Sequence, residues 1–376
     1  MLWFIVTILS VLFAYWGDEY GTTFVNKKTK IVFRILLVVT LSYVTGLGGS
    51  ISTDHESYLW HYTDYSLNGL SSVIQSFRFQ LFSAREEGFE PIFALINVLC
   101  SKIGLSAVGF CGVVALITNA FFVSVIFRFR FPYIAVILFL ASVDYFQEVN
   151  LVRQMLAVSL CFYALHFLVM RKWLKYILLV IAASFIHTSA SVMLSLFLFA
   201  PLLKENKKSI LLAILAFIWL FSIASAFGLI PINISYLSAI SYYEQYINGM
   251  HEGAVFDIIT NLVVILFFFF SFTERKSEDI TLYTVIFILG CVLRNFAVQY
   301  YWFYRLSFYF TFIYCCFVPE FFSRHGQIFS KGSKKQISLP FVLITVYYCL
   351  IIIRSYILVE PSNKLGTVMY SLSELF

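Results

Sequence analysis

Hydrophobic runs closed by short polar breaks recur from end to end of the chain, many of them about 18 residues or longer, which is the signature of membrane-crossing helices. The pattern predicts helices near 1–16, 31–47, 89–103, 105–127, 131–147, 150–170, 176–200, 209–230, 256–272, 280–298, 302–322 and 338–358. No polar stretch is long enough to fold as a soluble domain of its own. The expected fold class is therefore all-α, a single polytopic integral membrane domain over residues 1–376. It would have about 11–13 transmembrane or re-entrant helices. Long external loops are expected at 48–88 and 231–255. The opening MLWFIVTILSVLFAYW has no basic n-region and no small-residue cleavage site, so it reads as a retained first helix.

Composition agrees with the pattern. Of 376 residues 61% are hydrophobic and only 12% charged, against about a quarter charged in soluble domains. The net charge of +6 does not point to nucleic acid, because the cations fall in clusters between hydrophobic runs. These are Lys27/Lys28/Lys30, Arg128/Arg130, Arg171/Lys172/Lys175, Lys204/Lys207/Lys208, Arg275/Lys276 and Arg324/Lys331/Lys334/Lys335. Short basic loops mark the cytoplasmic side, which puts 48–88, about 144–149, 231–255, 299–301 and the C-terminal tail outside. One parity conflict remains in this map. The stretch 89–127 must cross an odd number of times yet reads as two helices, so either 89–103 is re-entrant or part of 48–88 dips into the bilayer. All seven cysteines lie in apolar segments and read as small hydrophobes in helices.

The run from Lys175 to Lys204 contains no charge, and His187, Thr188 and Ser189 lie at its centre. As one helix it would be roughly 42 Å long, against a hydrocarbon core of ~30 Å. It would also carry Lys204, Lys207 and Lys208 to the outside, against the charge rule. A pair of half-helices broken near His187–Ser189 keeps both basic ends inside. Irregular backbone at that depth is tolerated where it lines a cavity or is buried in protein, so His187 is expected at the floor of an outward-facing cavity. A packed histidine between helices is the plainer alternative.

Three arginines escape the positive-inside explanation: Arg153 after DYFQEVNLV, Arg294 in CVLRNF, and Arg305 in QYYWFYRLSFYF, with Tyr301 one turn before it. Intramembrane cations face the bundle interior or a wet cavity. Each can pair with an acid such as Asp144 or Glu148, or bind a phosphate bidentately. In GGSISTDHESYLWHYTDY, Asp54, Tyr58, Tyr62 and Tyr65 recur at helical spacing and share one face. Carboxylates and rings on one face suit carbohydrate, while an interfacial aromatic belt has the same composition. His55 and His61 are spaced i, i+6 and do not share that face, so no metal is expected. Glu86, Glu87 and Glu90 open the next helix, where acids complement the dipole or serve acid–base chemistry on glycosides. There is no Walker A loop, no dinucleotide fingerprint and no zinc-protease motif, and no cofactor is expected.

Taken in order, D-x-x-x-Y (Asp54, Tyr58), E-x-G-F-x-P-x-F (matching through Glu87, Gly88, Phe89 and Pro91), R-Q-M-L-A (Arg153, Gln154, Ala157) and F-I-H-T-S-A (His187, Thr188, Ser189) resemble a known family. They look like an EpsG-like member of the Wzy-type bacterial polysaccharide (O-antigen) polymerases. The ordered set covers most of 48–200, and the C-terminal third matches through Arg294 and Arg305. The element usually written E-P-G-F stands here as EEGFEP. The resemblance implies a multi-pass enzyme of the bacterial inner membrane, with its active site facing the periplasm. It would transfer a growing glycan from undecaprenyl pyrophosphate onto a new lipid-linked repeat unit, without metal or nucleotide. His187 and Arg153 are then the catalytic candidates, and Arg153, Arg294 and Arg305 the pyrophosphate ligands. Asp54, Tyr58, Tyr62, Glu87, Glu90, Gln154, Ser189 and Tyr301 are the sugar-facing candidates. The implied partners are the lipid-linked oligosaccharide, the bilayer and a chain-length regulator. Two alternatives are a flippase for the lipid-linked sugar, which should show internal two-fold symmetry, and a membrane acyltransferase acting on polysaccharide.

Overall fold

A computed structural model describes residues 2–19, 25–47, 54–82, 89–141, 143–199, 207–230 and 278–325. The expected loop 231–255 and helices 256–272 and 338–358 lie outside these residues. Among the described residues every regular element is a helix, and the chain is an all-α, multi-pass membrane protein. Among the described residues four helices are long and apolar enough to cross a bilayer: Lys27–Leu47, Ala107–Ile126, Val152–Val169 and Ser209–Ala226.

In chain order the helices of the first half are α1 (Leu2–Gly17), α2 (Lys27–Leu47), α3 (His55–Asn68), α4 (Leu70–Phe82), α5 (Pro91–Lys102), α6 (Ala107–Ile126), α7 (Pro132–Ala141), α8 (Val143–Asn150), α9 (Val152–Val169) and α10 (Trp173–Ser184). A 3₁₀ helix follows at Thr188–Leu198. Then come α11 (Lys208–Ala226), α12 (Glu278–Phe296), α13 (Tyr301–Thr311) and α14 (Ile313–His325). The chain divides into two compact units, one made of the residues up to Ser191 with Val318–Ser323, the other chiefly of those between Val192 and Phe317.

In the first unit α2, α6 and α9 form a packed row, with α1 against α2 and α10 against α9. Small residues let α2 and α6 approach closely. A Cβ added at Gly46 would lie 2.9 Å from Gly112 Cα, and Ser42 Oγ donates to the Ala115 carbonyl across the same seam at 3.2 Å. Such small-residue seams are how membrane helices gain van der Waals contact without a hydrophobic driving force. Further along, Phe122 of α6 packs against Phe139 and Phe162 of α7 and α9. At one end of the row Arg34 pairs with Glu19 at 3.0 Å and stacks on Phe127.

Two expectations change. The segment 131–147 is helical over Pro132–Ala141 (α7) and Val143–Asn150 (α8), with Ser142 outside the described residues, and Tyr145 and Glu148 of α8 are buried. The stretch 302–322 is interrupted at Phe312 between α13 and α14. The loop 48–88 contains two helices, α3 and α4, separated by Gly69 at φ 58, a left-handed turn that glycine adopts without penalty. Both pack on α5. At 12 residues, α5 is roughly 18 Å long, well short of a crossing.

The break predicted in the run from Lys175 to Lys204 is present. Helix α10 stops at Ser184, residues Phe185 to His187 turn, and a 3₁₀ helix begins at Thr188. In the second unit, Leu211, Leu212, Leu215 and Trp219 of α11 pack on Val285, Ile288 and Val292 of α12. Asn295 Nδ2 donates to Ser222 Oγ at 2.9 Å across that pair.

Candidate functional site

The site is assembled from helix ends. Glu90 precedes α5 in an extended conformation (φ −62°, ψ 151°), with Pro91 in the first turn. The residue before a proline is steered away from helix, and proline loses nothing at a helix start. Glu90 makes no side-chain bond to its own helix. Its carboxylate turns outward instead: Oε2 accepts from Arg153 Nη1 at 2.7 Å, and Oε1 accepts from the Thr188 backbone N–H at 3.2 Å. Glu90 therefore ties the start of α9 to the start of the 3₁₀ helix, where an anion satisfies an orphan N–H.

The break itself is held from the same side. The Ile92 N–H, in the first turn of α5, donates to the Phe185 carbonyl just past α10 at 2.9 Å. Each helix end supplies the partner that the other lacks. His187 follows at once, with Nδ1 2.7 Å from Ser189 Oγ.

Arg153, the second residue of α9, is fixed on three sides. Glu90 pairs with it, Tyr58 hydrogen-bonds it, and its guanidinium lies 4.3 Å over the Phe89 ring, a cation–π contact. Its side chain keeps 26% exposure, against 14% for Glu90. Burial pushes the Glu90 carboxyl up, but the charges of Arg153 and His187 and backbone N–H groups outweigh it, so the group sits below its usual range. Tyr58 is held above the usual tyrosine range by burial, with Arg153 opposing. Phe89 is positioned in turn: its N–H donates to Tyr65 Oη at 2.8 Å, and its ring meets Tyr58, His61 and Tyr65.

Tyr58, Phe89, Glu90, Arg153 and His187–Ser189 thus share one cluster, although they come from four separated stretches. Other candidates are placed less directly. Asp54 stands at the start of α3, where its N–H donates to Asn150 Oδ1 at 3.4 Å. Tyr62 is buried, its hydroxyl donating to the Leu105 carbonyl at 2.6 Å and its ring stacked on Phe110. Gln154 is buried next to Arg153 in α9. Glu87 and the side chain of Tyr301 fall outside what the structure describes.

In the second unit Arg294 Nε donates to Ser307 Oγ at 2.7 Å, and the guanidinium lies 4.4 Å over Tyr304. Arg305 is partly buried in α13.

Among the described residues the acid opposite Arg153 is not the expected Glu148, and the side chain of Asp144 lies outside what the structure describes. Glu148 is turned into the core, where Oε2 accepts from Asn119 Nδ2 at 2.9 Å, and Glu90 takes the role. Sequence spacing gave no sign of this pair, since 63 positions separate its members. The signal available was the proline after Glu90, which frees that carboxylate from its own helix.

Comparison with curated proteins and with solved structures returns no match. The profile of the EpsG family matches residues 31–371, nearly the whole chain. That span takes in all four stretches that meet at Arg153, and the chain belongs to the EpsG family, membrane proteins similar to the Wzy-type polysaccharide polymerases.

Proposed function

We propose that this protein is a polysaccharide polymerase that moves a growing glycan from undecaprenyl pyrophosphate onto a lipid-linked repeat unit at the periplasmic face of the inner membrane. The observation that carries the reading is the Glu90–Arg153–Thr188 linkage, which fixes a cation beside a histidine at the junction of three helix ends. Family membership supports the general class of membrane polymerase.

In this reading Arg153 meets the diphosphate of the donor, and Phe89, Tyr58 and Glu90 hold the guanidinium before the substrate arrives. Such preorganised charge stabilises a departing anion without reorganisation at the moment of reaction. In the tautomer whose Nδ1–H donates to Ser189 Oγ, 2.7 Å away, Nε2 of His187 carries the lone pair that takes the proton of the acceptor hydroxyl. The acceptor oxygen then bonds the anomeric carbon, and the carbon–oxygen bond to phosphate breaks, both electrons leaving on undecaprenyl pyrophosphate. Asp54, Gln154, Ser189, Glu87 and Tyr301 are proposed to orient sugar. Tyr58 and Tyr62 support that surface from beneath. Arg294 and Arg305 are proposed as anion ligands in their own unit, each tested by its own substitution.

The experiment is complementation of a deletion strain, with the lipid-linked glycans sized. Arg153→Ala and His187→Ala are expected to insert at normal levels and leave only single exported repeat units. Normal chain-length ladders from both variants would overturn the assignment. Units held on the cytoplasmic face of the deletion strain would instead identify a flippase, and full-length but unacylated polymer an acyltransferase.

A further inference from the structure

Helices α2, α6 and α8 meet around a second polar group that the reaction above does not use. Glu148 is only 5% exposed. Its Oε2 accepts from Asn119 Nδ2, and that same amide nitrogen donates to Thr45 Oγ1 at 3.3 Å and to the Ala115 carbonyl at 3.0 Å. Among the described residues the other carboxylate oxygen, Oε1, is buried without a hydrogen-bond partner, and so is Asn119 Oδ1. Alongside lies a cavity of about 10 Å³, lined by Glu148 together with Thr45, Thr118 and apolar or small residues of α2, α6 and α9. No lysine, arginine or histidine lines it.

A carboxylate taken out of water with only neutral neighbours is costly unless something neutralises it. A lone water would serve the bare Oε1 but not the charge. A proton on Oε1 would remove the charge without filling the cavity. A monovalent cation beside Oε1 would do both, and the cavity has room for one water-sized occupant. A divalent ion asks for more carboxylates or retained waters, and among the described residues no group of three acidic, histidine or cysteine ligands exists.

We propose that the cavity beside Glu148 binds a single small monovalent cation, with sodium the natural probe. Its oxygen ligands would come from Glu148, Thr45 and Thr118, with Asn119 in support. The site has a structural consequence. Helix α8 ends at Asn150, whose side chain accepts from the Asp54 N–H, and α9 opens with Val152 and Arg153. A cation bound at Glu148 would therefore stiffen the junction that aims Arg153.

The test is the thermal stability of the full chain in detergent, at fixed pH and ionic strength, as sodium replaces choline. The wild-type protein is expected to gain stability saturably with sodium. Glu148→Gln should abolish the response, and Thr118→Val should raise the half-saturating concentration roughly tenfold. If Glu148→Gln fails to fold, the shift in Thr118→Val decides alone. A wild-type protein indifferent to sodium overturns the proposal, as does a response unchanged in the variants. Stability that follows pH and not sodium also overturns it and identifies a protonated acid.

Discussion

Replacing Glu90 by glutamine removes one charge and little else. The amide can still accept the Thr188 N–H that Glu90 Oε1 now receives at 3.2 Å, so the local backbone keeps its cap. What is lost is the 2.7 Å charge-assisted bond to Arg153. Breaking a buried ion pair by removing one partner costs about 3–5 kcal/mol, and an exposed pair is worth about 0–1 kcal/mol. With side chains 14% and 26% exposed, this pair lies between those limits, and about 2 kcal/mol is the expected loss. The assay is reversible denaturation in mixed detergent for wild type, Glu90→Gln, Arg153→Gln and the double variant, with the glycan ladder read in parallel. A coupling energy of about 1–2 kcal/mol is expected from the cycle. The double variant should regain part of the lost stability, because no uncompensated charge remains, yet make no polymer, because the diphosphate has lost its cation. Additive losses with no coupling would refute the pairing as an energetic unit. A double variant that is both stable and active would show that Arg153 does nothing beyond pairing with Glu90.

Three further outcomes are expected. Gly46→Ala places a methyl 2.9 Å from the Gly112 backbone, so α2 and α6 must part, at a cost of about 1–3 kcal/mol, read as a lowered melting point in detergent. Tyr65→Phe removes the acceptor of the Phe89 N–H; leaving that buried donor unpaired costs about 1–3 kcal/mol, and polymer yield should fall with it because Phe89 carries Arg153. The Glu90 carboxyl is depressed in the folded state, so its stabilisation is fully present above the ordinary glutamate value of about 4.3 and is lost as pH falls through the lower folded value. Acid melts should therefore be steeper for wild type than for Glu90→Gln, and equal slopes would contradict that sign.

The membrane class and the break at His187 were legible because both follow from length and charge, which are local quantities. A helix too long for the bilayer, with lysines at both ends, has few alternatives, and the chain does turn between Ser184 and Thr188. The burial of α8 was not legible, because VDYFQEVN reads as polar until Tyr145 and Glu148 are seen to be buried. Its polar residues serve the neighbouring helices: Tyr145 Oη donates to the Leu41 carbonyl and Glu148 meets Asn119.

Pairing across the site was the least legible feature, since it depends on which helix ends meet. The sequence marks Arg153 as a costly cation, but by charge and proximity it offered Asp144 and Glu148 as partners. Geometry chooses Glu90, because Pro91 holds that residue extended at a helix start, where its carboxylate reaches outward to Arg153 and to the Thr188 N–H together. A carboxylate inside a regular helix would reach along its own face instead. The proline after Glu90 is thus what converts an ordinary acidic helix start into a clamp on two other elements. An exchange of Pro91 for alanine should loosen Arg153 without touching any charge.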